Sequence, residues 1–371
     1  NDIALGDGDN VVELQGGQYH TIVAGAGDDQ FKLSNSGHNS IASGNGNDYL
    51  DLEGIGQKNV INAGNGNNII VIEAAGSGTD INAGSGADVI EANKLGSDNA
   101  FDLGDGDNEI SISNSGQQSI FSGVGNDKIS VSKSGNGIFD SGDGEDQITL
   151  IKCGGTIYGG KGDDVIHLEN VNPSKVYAGE GSDNISLAIG SVEVWGGDES
   201  SPTDRAVDTY KIAGGNHTIV GFEYGLDLLI LDEKIDEQQF IDSVKIKNAE
   251  DSDFAYQYSF KYQLSDSEEE HTLVVLTDYE ATELDWEGDF AEQNKEEAKS
   301  HPYLVYQGDN AEYKFKWDAS EAEFSQDVSL QSLNDFALTW LAFDERSAGD
   351  GSVQQGTKYQ VSEGIDLSAR P

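Results

Sequence analysis

Aspartates placed at a fixed interval behind paired glycines are the residues of this chain best suited to chemistry. Gly142-Asp143-Gly144-Glu145-Asp146-Gln147-Ile148-Thr149-Leu150 shows the unit. A tight glycine turn ends in a carboxylate and runs straight into a short strand. Glycine accepts positive φ and lets neighbouring backbone come close. A carboxylate beside outward-turned carbonyls is the oxygen ligand set that a hard cation such as calcium prefers. The unit recurs, and it predicts metal-binding sets at Gly25, Gly27 and Asp29, then at Gly44, Gly46 and Asp48. Further sets are Gly84, Gly86 and Asp88; Gly104, Gly106 and Asn108; and Gly123, Gly125 and Asp127. The last are Gly142, Gly144 and Asp146; Gly160, Gly162 and Asp164; and Gly179, Gly181 and Asp183. Asn10, Asn68 and Asn108 keep an oxygen in this column but lose its charge. Asp9 and Asp107 stand one residue earlier and are expected to compensate in part, whereas Asn67-Asn68 has no carboxylate and should bind most weakly or not at all.

The elements that position these loops follow from the same spacing. First glycines recur every roughly 18–20 residues, a period that signals a solenoid. Two residues after the acidic column every position is apolar, from Val12, Phe31 and Leu50 to Ile148, Ile166 and Ile185. A second apolar column lies three residues before each first glycine, from Ile3, Ile22 and Ile41 to Ile157, Val176 and Val194. Residues two apart in a strand share a face, so each column predicts an inward ladder. Further glycines at Gly37, Gly56, Gly76, Gly96, Gly116 and Gly135 mark a second turn. Each period therefore reads as strand, cation loop, strand, plain turn.

Gly160-Lys161-Gly162-Asp163-Asp164-Val165-Ile166, preceded by Gly159, resembles the nonapeptide repeat of the RTX (repeats-in-toxin) family, G-G-x-G-x-D-x-U-x. The resemblance covers about residues 1–232. It implies an all-β, right-handed parallel β-roll or β-solenoid binding several Ca2+ ions. Only alternate half-turns carry the motif, which implies one row of ions along one edge, each shared by successive loops. Thr218 to Leu231, with Phe222, Gly225, Asp227 and Leu231, looks like the segment that closes such repeats and would cover an open sheet edge.

Composition bounds the functions. The 371 residues hold 21 Lys plus Arg against 68 Asp plus Glu, a formal charge of −47. That charge repels phosphate and anionic lipid, so no nucleic-acid partner is expected. No apolar run approaches the ~20 residues that span a bilayer. The single cysteine, Cys153, excludes an internal disulfide framework and reads as a small residue of the solenoid wall. The chain begins within a repeat, so it is expected to be part of a longer one. The six histidines show no metal spacing and read as solvated or turn residues. No G-x-S-x-G, H-E-x-x-H or P-loop motif occurs. No catalytic residue is assigned, and catalysis, if any, is expected elsewhere in the parent protein.

The expected organisation is a solenoid over 1–199, an irregular last coil and hydrophobic cap over 200–235, and a small α+β or mostly-β domain over 236–371. Tyr256 to Leu264 and His271 to Thr277 predict a hairpin around the acidic loop 265–270. Tyr303–Tyr306 and Tyr313–Trp317 suggest a second hairpin, and Phe290–Ser300 is helix-like. Trp286, Tyr303, Tyr306, Tyr313 and Trp317 are either a receptor or glycan platform or ordinary core. Two functions stay open. One is a calcium-dependent folding and cell-surface-targeting module of a type I-secreted toxin or adhesin, located outside the cell or on the bacterial surface, with a host receptor or glycan as a further partner. The other is an auxiliary repeat module of a secreted polysaccharide-modifying enzyme. Ice binding is disfavoured, because the loop-tip column (Asp7, Ala26, Asn45, Asn65, Ser85, Asp105, Val124, Asp143, Lys161, Glu180) is irregular in size and charge.

Overall fold

The computed structural model describes residues 1–223, 227–232, 234–235, 240, 243, 245–249 and 254–278, together with the backbone of four later strands (Tyr303–Gln307, Phe315–Asp318, Glu323–Gln326 and Ala337–Leu341). The helix-like stretch 290–300 and the side chains of the later aromatic cluster lie outside the described residues. Two units are distinguished, Asn1–Asp204 and Arg205–Pro371.

The first unit is an all-β parallel solenoid. Its strands alternate between two sheets, one built from Asp2–Gly6, Thr21–Ala24, Ser40–Asn45 and their successors to Gly190–Trp195. The other runs from Val11–Gln15 and Gln30–Ser34 to Asn184–Leu187. Each strand pairs in parallel with its counterpart one coil away, 18 to 20 residues along the chain, as in Ile22↔Ile41, Ile41↔Ile61 and Phe139↔Ile157.

Both predicted apolar columns are inward ladders. Ile70, Ile90, Ile110 and Ile148 are in register and fully buried in one sheet. Ile61, Phe101, Phe139 and Val194 fill the equivalent place in the other. A third ladder runs two residues later in the second sheet, through Leu33, Leu52, Ile72, Val131, Leu150 and Leu187. β-Branched side chains suit these positions because, already stiff at χ1, they have little rotamer freedom to lose and pack well on a half-buried pleated surface. Cys153 is buried in the wall as expected, and burial pushes its thiol up to about 11, which makes it an inert apolar filler.

The second turn differs from the expected glycine turn. Its positive φ falls not on Gly37, Gly56 or their counterparts but mostly on non-glycine residues, including Asn35 (52°), Lys94 (56°), Lys133 (51°) and Lys152 (57°), with Gly54 (59°) at the equivalent place of its own coil. The glycines of that turn serve proximity instead. A Cβ added to Gly37 would stand 3.0 Å from the Gly56 Cα on the next coil.

In the second unit Thr209–Ile212 and Leu228–Leu231 form a parallel pair. The predicted hairpin exists, as Tyr256–Gln263 antiparallel to Glu270–Thr277. Its second strand also lies parallel to Asn216–Val220, so the edge of that strand is covered by the hairpin rather than by 222–231. Phe222 is buried 6.0 Å from the Tyr210 ring. Tyr303–Gln307 pairs with Ala337–Leu341, and Phe315–Asp318 with Glu323–Gln326. No helix among the described residues is long and apolar enough to cross a membrane.

Candidate metal site: a buried carboxylate column

Every predicted glycine–aspartate set of the first unit lies on the one edge where the chain passes from the first sheet to the second. The glycines take the backbone around a corner that other residues resist. Gly104 and Gly106 have φ of 77° and 132°, and their counterparts follow the same pattern, Gly25 excepted.

The aspartates point inward. Asp29, Asp48, Asp88, Asp127, Asp146, Asp164 and Asp183 are all at most 1% exposed. One carboxylate oxygen of each has a fixed task. Asp29 N–H donates to Asp48 Oδ1 at 2.8 Å, Asp127 N–H to Asp146 Oδ1 at 2.7 Å, and Asp146 N–H to Asp164 Oδ1 at 2.8 Å. The chain of bonds runs one coil at a time along the edge. The other oxygen, Oδ2, of Asp29, Asp48, Asp88, Asp127, Asp146 and Asp164 is buried without a hydrogen-bond partner. Buried polar atoms in native folds are nearly always satisfied, so a repeated exception points to a missing positive partner.

Asn68 and Asn108 reveal what surrounds that second atom. Asn68 Nδ2 donates to the Gly64, Gly66 and Ala83 carbonyls at 3.4, 3.1 and 3.1 Å. Asn108 Nδ2 donates to Gly104, Gly106 and Ser122 at 3.2, 2.8 and 3.3 Å. The spot is thus ringed by two carbonyls of its own loop and one from the next coil. In an aspartate loop the same ring would face an oxygen, and oxygen facing oxygen is unfavourable without a cation or a proton between. Gly159 reports this convergence directly: a Cβ there would run into both Asp164 Oδ2 and the Ala178 carbonyl. Carboxylate plus carbonyls is a donor set that fits calcium. The fit does not rest on clustered side chains, since no group of three or more His, Cys, Asp or Glu comes together among the described residues. Successive column residues stand a coil apart, about 4.8 Å.

Electrostatics agree. Burial pushes the carboxyls of Asp88 and Asp146 up to about 6, those of Asp127 and Asp164 to about 7, and that of Asp183 to about 8. Neighbouring carboxylates add to this, Asp146 raising Asp127 and Asp164. The Asp48 carboxyl is raised too, by burial first. Ser43 and Ser141 lie beside Asp48 and Asp146, but their hydroxyls donate to the Ala63 and Gly159 carbonyls at 2.8 and 2.7 Å. A carboxyl raised on folding stabilises the fold below its unfolded value of 3.8, and that stability is lost as pH rises through about 6 to 8. Without a cation, then, the column favours the coils in acid and opposes them at neutral pH and above.

Asp9 and Asp107 do not reach this ring. Both are exposed, and their Oδ1 atoms accept the N–H of Asp28 and Asn126 at 3.0 and 2.8 Å. The expected compensation for Asn10 and Asn108 is therefore corrected. Asn10 Nδ2 itself donates to Gly6 and Gly8.

The opposite edge carries a second buried polar column that the sequence reading passed over. Asn39 N–H donates to Asn59 Oδ1 at 3.0 Å, and Thr79 N–H to Asn99 Oδ1 at 2.9 Å. Asn59 and Asn99 Nδ2 then donate to the Gly56 and Gly96 carbonyls at 2.7 and 2.9 Å. This neutral ladder closes itself with amide hydrogens. Its signal was visible as an Asn or Thr three residues after Gly56, Gly76 and Gly96. His20 caps one end of it from the turn and is buried; His217 and His271 are buried strand residues, so these two are corrected from solvated or turn residues. Asp208 and Asp227 form a related pair in the second unit, with Asp208 N–H donating to Asp227 Oδ1 at 3.1 Å. Burial and the Asp208 charge hold the Asp227 carboxyl well above its ordinary value.

No known family matches the chain, and no curated protein does.

Proposed function

We propose that this chain is a calcium-dependent folding module of RTX type, serving surface targeting in a secreted toxin or adhesin. The observation that carries the reading is the column of buried Asp Oδ2 atoms without partners, each facing a ring that is filled by an amide nitrogen wherever asparagine replaces aspartate. Two edges of one solenoid use the same ladder of backbone N–H to side-chain oxygen. One is closed by neutral amides and the other presents carboxylates, which need a counter-charge. Calcium fits the ring better than magnesium, which demands six short, near-octahedral contacts and holds its waters. In the proposed role Asp29, Asp48, Asp88, Asp127, Asp146, Asp164 and Asp183 supply one oxygen each, and the loop glycines supply carbonyls. The ion supplies positive charge, and its binding free energy becomes folding free energy. Repulsion within a chain of charge −47 keeps it extended until cations arrive.

Ion positions test this reading. In crystals grown with calcium and measured for its anomalous signal, peaks should follow the loop edge beside Asp127, Asp146 and Asp164, at about 2.3–2.6 Å from carboxylate oxygen. Peaks confined to exposed acids, or none on this edge, would overturn it.

A further inference from the structure

We propose that Asn68 and Asn108 are built-in substitutes for an ion, so that the calcium row is interrupted at two fixed coils. The inference rests on the calcium reading of the aspartate column and adds which coils are exempt from it. Each amide is locked in one orientation. Asp48 N–H donates to Asn68 Oδ1 at 3.0 Å, and Asp88 N–H to Asn108 Oδ1 at 2.9 Å. A flipped amide would set N–H against N–H on one side and oxygen against three carbonyls on the other. Nδ2 therefore stays in the ring, and both its hydrogens are directed at the carbonyls that would otherwise ligate a cation. No calcium can approach those oxygens to about 2.3–2.6 Å while a nitrogen occupies the space.

The consequence is a row divided by position. Asp29 and Asp48 form one block, Asp88 stands alone between the two asparagines, and Asp127 to Asp183 form the longest block. At each break the amide satisfies the carbonyl ring without charge, a state independent of calcium concentration. These coils can close in the absence of ions. They give the neighbouring aspartate coils a formed layer to stack on, which matters in a solenoid whose stability is a sum of nearest-neighbour terms.

Exchange of the two residue types tests the inference. Calcium bound per chain is measured by equilibrium dialysis with elemental analysis, at saturating calcium, for the intact chain and for Asn108→Asp, Asn68→Asp and Asp127→Asn. Each Asn→Asp variant should gain one ion and Asp127→Asn should lose one. In chelator at neutral pH, Asp127→Asn should show more β-structure by circular dichroism than the parent. Unchanged ion counts in both Asn→Asp variants, with the parent binding normally, would overturn the inference. A parent that binds no calcium would refute the reading on which the inference rests. The chelator spectra then judge the amides alone, and Asp127→Asn no richer in β-structure than the parent would overturn their role too.

Discussion

Replacing Asp127, Asp146 and Asp164 together by alanine should abolish the calcium-induced ordering of the coils that carry them. Each alanine removes a proposed ligand, and losing an ion ligand at three consecutive coils should raise the calcium midpoint by well over tenfold, where each tenfold corresponds to about 1.4 kcal/mol. It also removes Oδ1, which accepts the N–H of Asn108, Asp127 and Asp146 at 2.7, 2.7 and 2.8 Å. A buried N–H left without an acceptor costs about 1–3 kcal/mol. The matching triple asparagine variant keeps that oxygen and supplies the amide hydrogens. It should stay folded and lose only the ions. Circular dichroism in calcium and in chelator separates the two variants. Similar loss of structure in both would mean that the carboxylates act by something other than charge at the ring.

Gly104→Ala should be among the most damaging single changes in the loops. Gly104 holds φ at 77°, and its Cβ would run into the Gly84 carbonyl oxygen of the preceding coil. Left-handed strain costs about 1–3 kcal/mol, and the clash is with backbone, which cannot swing away. The coils stack on both sides, so displacement of one loop also spoils the carbonyl ring around Asn108 Nδ2. We expect a loss of about 3 kcal/mol or more, read as a lower melting temperature in saturating calcium. Ala74→Gly, at a position with φ of 62° on the opposite edge, is the control and should be neutral or stabilising. A Gly104→Ala chain that melts like the parent would show that the close stacking of glycine on glycine is dispensable.

The coil register was legible in the sequence because three signals repeat in phase. Ile148 and Leu150 alternate at period two, Gly142 and Gly144 mark the corner, and Asp146 sits at a fixed offset between them. Any slip by one residue would turn an entire ladder to solvent, so the pattern admits one stacking. The one-edge placement of the acidic loops followed from the same counting. What escaped is set by the neighbouring coil rather than by local sequence. Asn108 reads as a weaker oxygen ligand until the N–H of Asp88 claims its oxygen and turns the nitrogen into the ring. Asp107 reads as a spare carboxylate until the N–H of Asn126 holds it outside. Lys94, Lys133 and Lys152 give no hint of positive φ, since lysine has no preference for it, and stacking of the turns imposes it on them. The joining of Asn216–Val220 to Glu270–Thr277 spans some fifty residues and carries no repeat to announce it.

On the calcium reading, a positive partner for the buried carboxylate column decides whether the coils form. Small-angle scattering and circular dichroism, followed together during a calcium titration in chelator-buffered solution, test it most directly. At pH 8, above the raised carboxyls of Asp88, Asp127, Asp146 and Asp164 at about 6 to 7, the calcium-free chain should be expanded and poor in β-structure. Millimolar-range calcium should make it compact and β-rich, and magnesium should do so poorly. At a pH near 4 protons should replace calcium at the column, and the coils should persist in chelator. A chain that is equally compact and β-rich at pH 8 in excess chelator, with no change on adding calcium, would contradict the account.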